Sequence, residues 1–182
     1  NAMKILIVGG GIAGLAVARA LELRGLSPDL VERKADVPQG GTGLYLPGNA
    51  ARALHQLGLL NSLSAIAVPI DTQEILDSRG RQLSVARTQD IWSSCGPCLA
   101  LPRETLHTAL RRSLRGTRLC FGTSITDIRQ VGKKGVTTFG DGTARAYDVV
   151  IGADGIHSQV RQTLYPDASP IYTGNVCWRY VT

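Results

Sequence analysis

The chain opens on two hydrophobic patterns in quick succession. Lys4–Val8 (KILIV) is a short, nearly unbroken apolar run, the pattern of a strand buried on both faces. From Ile12 to Arg24 the spacing turns helical. Ala13, Ala16, Val17, Ala20 and Leu21 are expected on one side, Arg19, Glu22 and Arg24 on the other, and Gly25 stops the helix. Pro28–Glu32 (PDLVE) reads as a second strand. A β-α-β unit of roughly 30 residues implies a parallel sheet.

Further on, the pattern loosens and then recovers. Residues 38–48 hold Gly40, Gly41, Gly43, Pro47 and Gly48 and read as a loop. Asn49–Leu57 reads as a helix capped by Asn49 and ended by Gly58. Ile75, Leu83 and Val85 flank Ser78-Arg79-Gly80-Arg81, a hairpin signal. Pro102 opens a helix in which Leu106, Leu110 and Leu114 recur every four residues. Three strand-like runs follow, Arg118–Phe121, Ser124–Val131 and Gly135–Phe139. The turn Gly140-Asp141-Gly142 leads to a strand at Tyr147–Ile151, a second glycine turn at Gly152–Gly155 and a short helix capped near Ser158. Ile171–Val181 reads as one more strand, and no internal repeat is present.

Composition narrows the class. The 182 residues suffice for one domain, or one domain with a small lobe, and 43% hydrophobic with 19% charged residues fits a soluble globular protein. The formal charge of +6 comes mostly from arginines scattered along the chain. No stripe alternates them with aromatics, so a solvated surface is expected rather than a nucleic-acid interface. No apolar run reaches membrane-spanning length. Asn1 and Ala2 precede Met3 and read as the remnant of a tag, and no secretory signal is visible ahead of the first glycine turn. A cytoplasmic location is the expectation.

Three segments carry candidate chemistry. Gly9-Gly10-Gly11-Ile12-Ala13-Gly14 satisfies G-x-G-x-x-G between a strand and a helix. Gly9 permits a tight turn, Gly11 lets backbone approach a pyrophosphate, and Gly14 lets the helix pack on the sheet. The N–H groups of the helix start, at Ile12 and Ala13, point at such phosphates. Glu32 ends the second strand 18 residues after Gly14, where an acid accepts from both hydroxyls of an adenosine ribose. A carboxylate there repels a 2′-phosphate, so FAD or NAD is favoured over NADP. The second segment is Tyr147–Arg161 (YDVVIGADGIHSQVR), a strand, a turn of small residues, Asp154 and a helix. Small residues at a strand's C-terminal end let a ligand come close, although a purely structural Asp-Gly turn has the same spacing. The third is Leu101–Leu106 (LPRETL). Arg103 in a first helical turn opposes the helix dipole, so a ligand phosphate or ribityl group, or a salt bridge to Glu32 or Asp154, is expected to favour it.

Taken together, LIVGGGIAGL, Glu32-Arg33, LPRETLHTAL and VVIGADGIHSQVR closely resemble group A flavoprotein monooxygenases, the aromatic-ring hydroxylases similar to p-hydroxybenzoate hydroxylase. Gly41–Leu44, Pro47–Ala50 and Trp178-Arg179 resemble them as well, so the resemblance covers nearly the whole chain. It implies a Rossmann-like α/β FAD-binding domain with a β-rich substrate-domain insertion, here truncated. Residues 3–66 and 97–168 would belong to the FAD-binding part, 67–96 to the substrate-lobe insert, and 169–182 to the start of a substrate-domain strand. By the same resemblance Gly9, Gly11 and Gly14 hold the FAD pyrophosphate, Glu32 the adenosine ribose, and Arg33 lies beside the adenine. Arg103 meets the ribityl–phosphate region, Ser124 or Ile125 offers backbone to the adenine side, and Asp154 lies near the flavin chain. NAD(P)H is the implied co-substrate and O₂ the implied oxidant of a small, aromatic substrate.

The protein supplies position and exclusion of water, while the cofactor carries the chemistry, so no catalytic side chain is assigned. An FAD-dependent dehydrogenase or reductase shares this fold, and a non-catalytic adenine-dinucleotide module needs only the first glycine motif and Glu32. The resemblance also implies a later ribityl-contacting motif and a helix near the flavin ring, neither of which occurs before Thr182. Residues 1–182 are therefore expected to bind FAD weakly, to hydroxylate nothing, and to dimerise through an exposed edge at Ile171–Val181.

Cys95-Gly96-Pro97-Cys98 spells a thioredoxin-type tetrapeptide, but Leu99–Leu101 separate it from the helix at Pro102. With Cys120 and Cys177 it matches no zinc spacing, so four free thiols and no metal are expected. His55, His107 and His157 are given no catalytic role.

Overall fold

The structure is a computed structural model and describes residues 3–35 and 42–178. Its elements run, in chain order, β1 (Ile5–Val8), α1 (Ile12–Glu22), β2 (Asp29–Glu32), β3 (Gly43–Leu46), α2 (Gly48–Gln56), α3 (Leu60–Ser64), β4 (Val68–Pro69), β5 (Thr72–Leu76), β6 (Gln82–Arg87), α4 (Thr88–Trp92), β7 (Leu99–Pro102), α5 (Arg103–Ser113), β8 (Arg118–Phe121), β9 (Ile125–Val131), β10 (Lys134–Phe139), β11 (Ala144–Tyr147), β12 (Val149–Gly152) and α6 (Gln159–Leu164). They form two compact units, Asn1–Gln39 with Leu110–Cys177, and Gly40–Ala109 with Trp178–Thr182.

The first unit is built on a parallel sheet in the order β12-β1-β2-β8. The expected β-α-β unit is present, and β1 is buried at all four positions. Because side chains alternate across a strand, Leu6 and Val8 face one side and Ile5 and Ile7 the other. Leu6 and Val8 pack with Val31, Ile125, Phe139, Tyr147 and Val160, so the antiparallel meander β9-β10-β11 and α6 cover that face. A Cβ placed on Gly14 would lie 3.4 Å from Ile7 Cγ2, which puts α1 over the Ile7 side.

α1 buries Gly14, Leu15 and Ala18, whereas Ala13 is exposed. The expected face is therefore rotated. A helix apolar nearly all round gives its periodicity little to point with. Glu22, expected on the solvated side, has a side chain only 7% exposed. Its carboxylate accepts from the backbone N–H of Arg115 (3.0 Å), Gly116 (2.9 Å) and Thr117 (2.7 Å) and from the Thr117 hydroxyl (2.7 Å). The end of α1 is thereby fastened to the turn between α5 and β8. Burial pushes the Glu22 carboxyl up, but the Thr117 hydroxyl and the three backbone N–H groups outweigh it and hold the group below the ordinary glutamate range.

Other elements depart from the sequence pattern for local reasons. Tyr147–Ile151 is not one strand. Tyr147 closes the meander, and Val149–Gly152 joins the parallel sheet. The chain changes sheets at Asp148, whose carboxylate accepts from the Lys4 N–H at 2.8 Å and whose own N–H donates to the Lys4 carbonyl at 2.8 Å. Residues 171–178, read as part of a terminal strand, contain no strand. A strand needs a partner ladder, and Ile171, Tyr172, Val176 and Trp178 are 71–87% exposed. Residues 179–181 of that run lie outside the described residues. The edge invoked for dimerisation is thus absent over the described part of the run.

In the second unit Gly43–Leu46, expected as loop, is a strand antiparallel to β7, and β4 pairs with β7 on its other edge. The segment from 67 onward is thus joined to the strands around it through β4. The hairpin β5-β6 turns at Gly80, φ +78°, as expected. α2 starts one residue early, at Gly48, with Pro47 at its cap position and no side-chain cap, so Asn49 does not cap it. Gly58, φ +74°, ends it by donating to the His55 carbonyl. In α5, which crosses the boundary between units, Leu106 and Leu110 are buried as the repeat requires, and so is Leu114 just beyond it.

A glutamate held below its ordinary pKa stabilises the fold fully at pH above the unfolded value and loses that contribution as pH falls through the folded value. Glu22→Gln removes one acceptor oxygen and sets an NH₂ against backbone donors, at a cost on the order of 2 kcal/mol. Thermal melting as a function of pH should show the variant less stable than the parent at neutral pH, with the gap closing below the glutamate range. A gap independent of pH would contradict the charged clamp.

Candidate functional site

Of the residues singled out in the sequence, those of the first unit lie around the carboxyl ends of β1, β2 and β12. Gly9 follows β1 with φ +111°, a conformation open to glycine. Its N–H donates to the Val31 carbonyl at 2.8 Å, and a Cβ there would sit 2.3 Å from the Ala153 oxygen. Gly14 is closer still, since a Cβ would lie 1.9 Å from the Gly9 oxygen. These two glycines let the first turn of α1 and the turn after β12 touch the β1 backbone directly.

Gly11 is different in kind. A Cβ at Gly11 would meet no described residue within 4 Å, although its neighbours are tightly packed. Gly11 is also the cap position of α1, which has no side-chain cap and no acid in its first turn. The helix therefore presents its N–H groups and the positive end of its dipole away from the other described residues, beside Ile12 and the exposed Ala13. An anion with oxygens in the plane of a backbone nest fits this opening.

Glu32 closes one side. Its Oε2 accepts from the Gly10 N–H at 2.8 Å and its Oε1 from the Lys34 N–H at 2.9 Å. Each oxygen keeps a lone pair for a further donor, as two adjacent ribose hydroxyls require. Gly10 had no assigned role in the sequence, yet its N–H aims this carboxylate and a Cβ on it would be 2.9 Å from Glu32 Cβ. The run of three glycines was the available signal. Arg33 is exposed next to Glu32.

The connection between β8 and β9 runs along the end of β2. Gly122 N–H donates to the Lys34 carbonyl at 3.0 Å and Thr123 N–H to the Glu32 carbonyl at 2.9 Å. Ser124 is exposed, while the Ile125 side chain is buried in the core, so Ile125 has only main chain to offer. Across β1, Asp154 turns its carboxylate into its own loop. Oδ1 accepts from Ser158 Oγ at 2.6 Å, and Oδ2 from the N–H of Gln159 at 2.7 Å and of Val160 at 3.2 Å. Ser158 caps α6, as expected, by accepting from the Arg161 N–H. Arg103 belongs to the second unit. It begins α5, is half-buried, and its N–H donates to the Thr42 carbonyl at 3.4 Å.

The cysteine tetrapeptide lies in the turn between α4 and β7. Cys95 N–H donates to the Trp92 carbonyl at 2.8 Å, so Cys95 follows the C-terminal end of a helix, the end opposite to the one a thioredoxin-type cysteine occupies. Cys95, Cys98 and Cys120 are free thiols.

Comparison with known proteins decides the class of ligand. The family described as "FAD binding domain" matches residues 2–175. The chain belongs to that family. Among its relatives, a 2-heptyl-3-hydroxy-4(1H)-quinolone synthase of Pseudomonas aeruginosa is 36% identical over 179 residues, covering 98% of this chain and 47% of the relative. A 3-amino-4-hydroxybenzoate 2-monooxygenase of Streptomyces cremeus is 34% identical over 177 residues, covering 94% and 44%. A tetrameric form of 2-methyl-3-hydroxypyridine-5-carboxylic acid oxygenase superposes with a TM-score of 0.78 at 26% identity, covering 91% of this chain and 43% of that one. The chain thus spans about half the length of the curated relatives it matches.

Gly11→Ala separates binding from folding. The described residues leave room for the methyl group, and Gly11 has φ −74° and ψ −177°, which alanine adopts freely. Melting should change by a few tenths of a kcal/mol, whereas FAD affinity should fall on the order of tenfold or more as the methyl enters the phosphate's space. Unchanged FAD affinity in a folded Gly11→Ala protein would show that no ligand backbone lies there.

Proposed function

We propose that this chain holds the ADP half of FAD in a monooxygenase that uses NAD(P)H and O₂ to oxygenate a small aromatic substrate. The observation that carries this reading is the open face of Gly11 at an uncapped helix start, with Glu32 aimed beside it by Gly10. Two curated relatives named above are, by their names, a monooxygenase and a synthase of a hydroxylated quinolone. A third relative is named as a flavin-dependent monooxygenase, at 30% identity over 163 residues.

In this reading the N–H groups at Gly11, Ile12 and Ala13 bind the pyrophosphate, and Gly9 and Gly14 keep the helix close enough to do so. Glu32 accepts from the adenosine ribose, and Arg33 lies beside the adenine with the Ile125 main chain. Arg103 meets the ribityl–phosphate region, and Asp154 stands near the flavin chain. When bound and reduced by NAD(P)H, FAD supplies the oxygen-activating chemistry. The protein's own part is to bind, orient and keep water away from the reacting carbon. No helix among the described residues is long and apolar enough to cross a membrane.

Titration of FAD by quenching of flavin fluorescence tests the reading. Hydrogen bonds to a charged group contribute about 1.5–3 kcal/mol each, part of which water restores. Glu32→Ala should therefore bind FAD roughly thirtyfold more weakly than the parent. Glu32→Gln, which keeps one acceptor, should fall between them. Equal affinity of Glu32→Ala and parent would remove the ribose role, and a parent that binds no FAD would remove the reading itself.

A further inference from the structure

We infer that the end of the parallel sheet remote from the glycine loop is a docking face for a membrane surface bearing anionic phospholipid. β1, β2 and β8 run parallel, so their carboxyl ends carry the candidate site and their amino ends form a second, separate face. α1 runs back from the glycine loop and finishes beside that face, where Glu22 holds the 115–117 backbone. α5 finishes there too, just ahead of β8. Arginines scattered along the sequence gather at this end. Arg24 follows α1, Arg112 and Arg115 surround the end of α5, and all three are exposed.

These cations are not neutralised locally. Arg24 donates from Nη1 to the Ala20 carbonyl at 3.0 Å, and Arg115 from Nη1 to the Arg112 carbonyl at 3.0 Å. None of the three guanidiniums takes part in an ion pair among the described residues. Each guanidinium has five N–H donors, so most of them remain for phosphate oxygens. The acids of the same face are already engaged. Glu22 has a side chain 7% exposed, lies 3.9 Å from Arg19 and is filled by backbone donors. Asp29 pairs with Arg118 at 3.1 Å, and Asp148 pairs with Lys134 and takes the Lys4 N–H. An exposed apolar side chain decides which polyanion fits. Leu23, between Glu22 and Arg24, is 49% exposed. Cations around an exposed leucine match a headgroup layer, with phosphates outside and acyl chains beneath. Single-stranded nucleic acid needs a ring to stack on, and Tyr147, the aromatic residue beside Asp29, is buried.

Flotation of the whole chain with vesicles tests this face. One set holds phosphatidylglycerol and phosphatidylcholine in equal parts, the other phosphatidylcholine alone. The expected result is binding to the mixed vesicles only, with release as salt is raised. Arg112→Gln combined with Arg115→Gln should weaken that binding roughly twentyfold, since each arginine at such a surface contributes about fivefold. Arg24→Gln, on the other helix, should weaken it about fivefold, and Leu23→Ser should also weaken it. Arg79→Gln combined with Arg81→Gln removes the same charge from the exposed turn of the β5-β6 hairpin and should leave binding within about twofold of the parent. Absence of binding to the mixed vesicles would overturn the inference, and so would equal losses in the two double variants, which would reduce the effect to net charge. Tighter binding to a DNA oligonucleotide or to polyglutamate than to the mixed vesicles, lost in Arg112→Gln with Arg115→Gln, would give the face to a nucleic acid or an acidic protein and overturn the lipid assignment.

Discussion

The structure depends on backbone touching backbone at the end of β1. Gly14 lies so close to the Gly9 carbonyl that a methyl group would sit 1.9 Å from its oxygen, and Gly9 meets Ala153 almost as closely. A helix that offers its N-terminus at the edge of a sheet has to start within a few residues of the strand it follows, and here three glycines separate β1 from α1. Only absent side chains allow that. From this contact follow the position of α1 over the Ile7 side of the sheet, the place of β12 beside β1, and the short reach by which Glu32 meets the Gly10 N–H. Two further carboxylates of the first unit serve cohesion. Glu22 gathers the 115–117 backbone, and Asp29 receives Arg118 at 3.1 Å and the Tyr147 hydroxyl at 3.0 Å, fastening β2 to β8 and β11. Burial, and then the Asp29 carboxylate, hold the Tyr147 phenol above its usual value, so it remains a donor.

Much of this was legible because it is written in local patterns. The β-α-β unit, the hairpin at Gly80 and the leucines of α5 rest on periodicity and on glycines with positive φ, all of which act within a few residues. The glycine motif and the spacing to Glu32 located the edge of the sheet where the candidate residues of the first unit gather. What failed depended on partners far along the chain. Gly43–Leu46 is a strand because Leu99–Pro102 pairs with it, which its own glycines conceal. The apolar run Tyr147–Ile151 splits because Lys4, remote in sequence, takes Asp148 at the point where the chain changes sheets. The face of α1 was misjudged because alanine and leucine surround it, and the burial of Glu22 is invisible without the 115–117 turn.

At the candidate site the sequence names acids but not the directions in which their carboxylates point. Glu32 and Asp154 both close turns beside the first glycine loop, yet one carboxylate faces the Gly10 N–H and the other its own helix. The spacing of acids to glycines is equally compatible with both orientations. Direction follows the backbone N–H groups that each carboxylate meets, those of Gly10 and Lys34 for Glu32 and those of Gln159 and Val160 at the start of α6 for Asp154. The same reasoning shows why Ile125 has only main chain to give, since its side chain completes the apolar layer between the two sheets.

The central claim is that this unit is shaped for the ADP half of FAD, with Gly11 and Glu32 as its two contacts. The most direct measurement is displacement of bound FAD by its two halves in separate titrations. ADP should displace FAD in competition, because pyrophosphate and adenosine ribose carry the contacts, and FMN at the same concentration should not. Displacement by FMN with no effect of ADP would mean that the opening at Gly11 receives the flavin side of the molecule, and the assignment of the glycine loop and Glu32 would be contradicted.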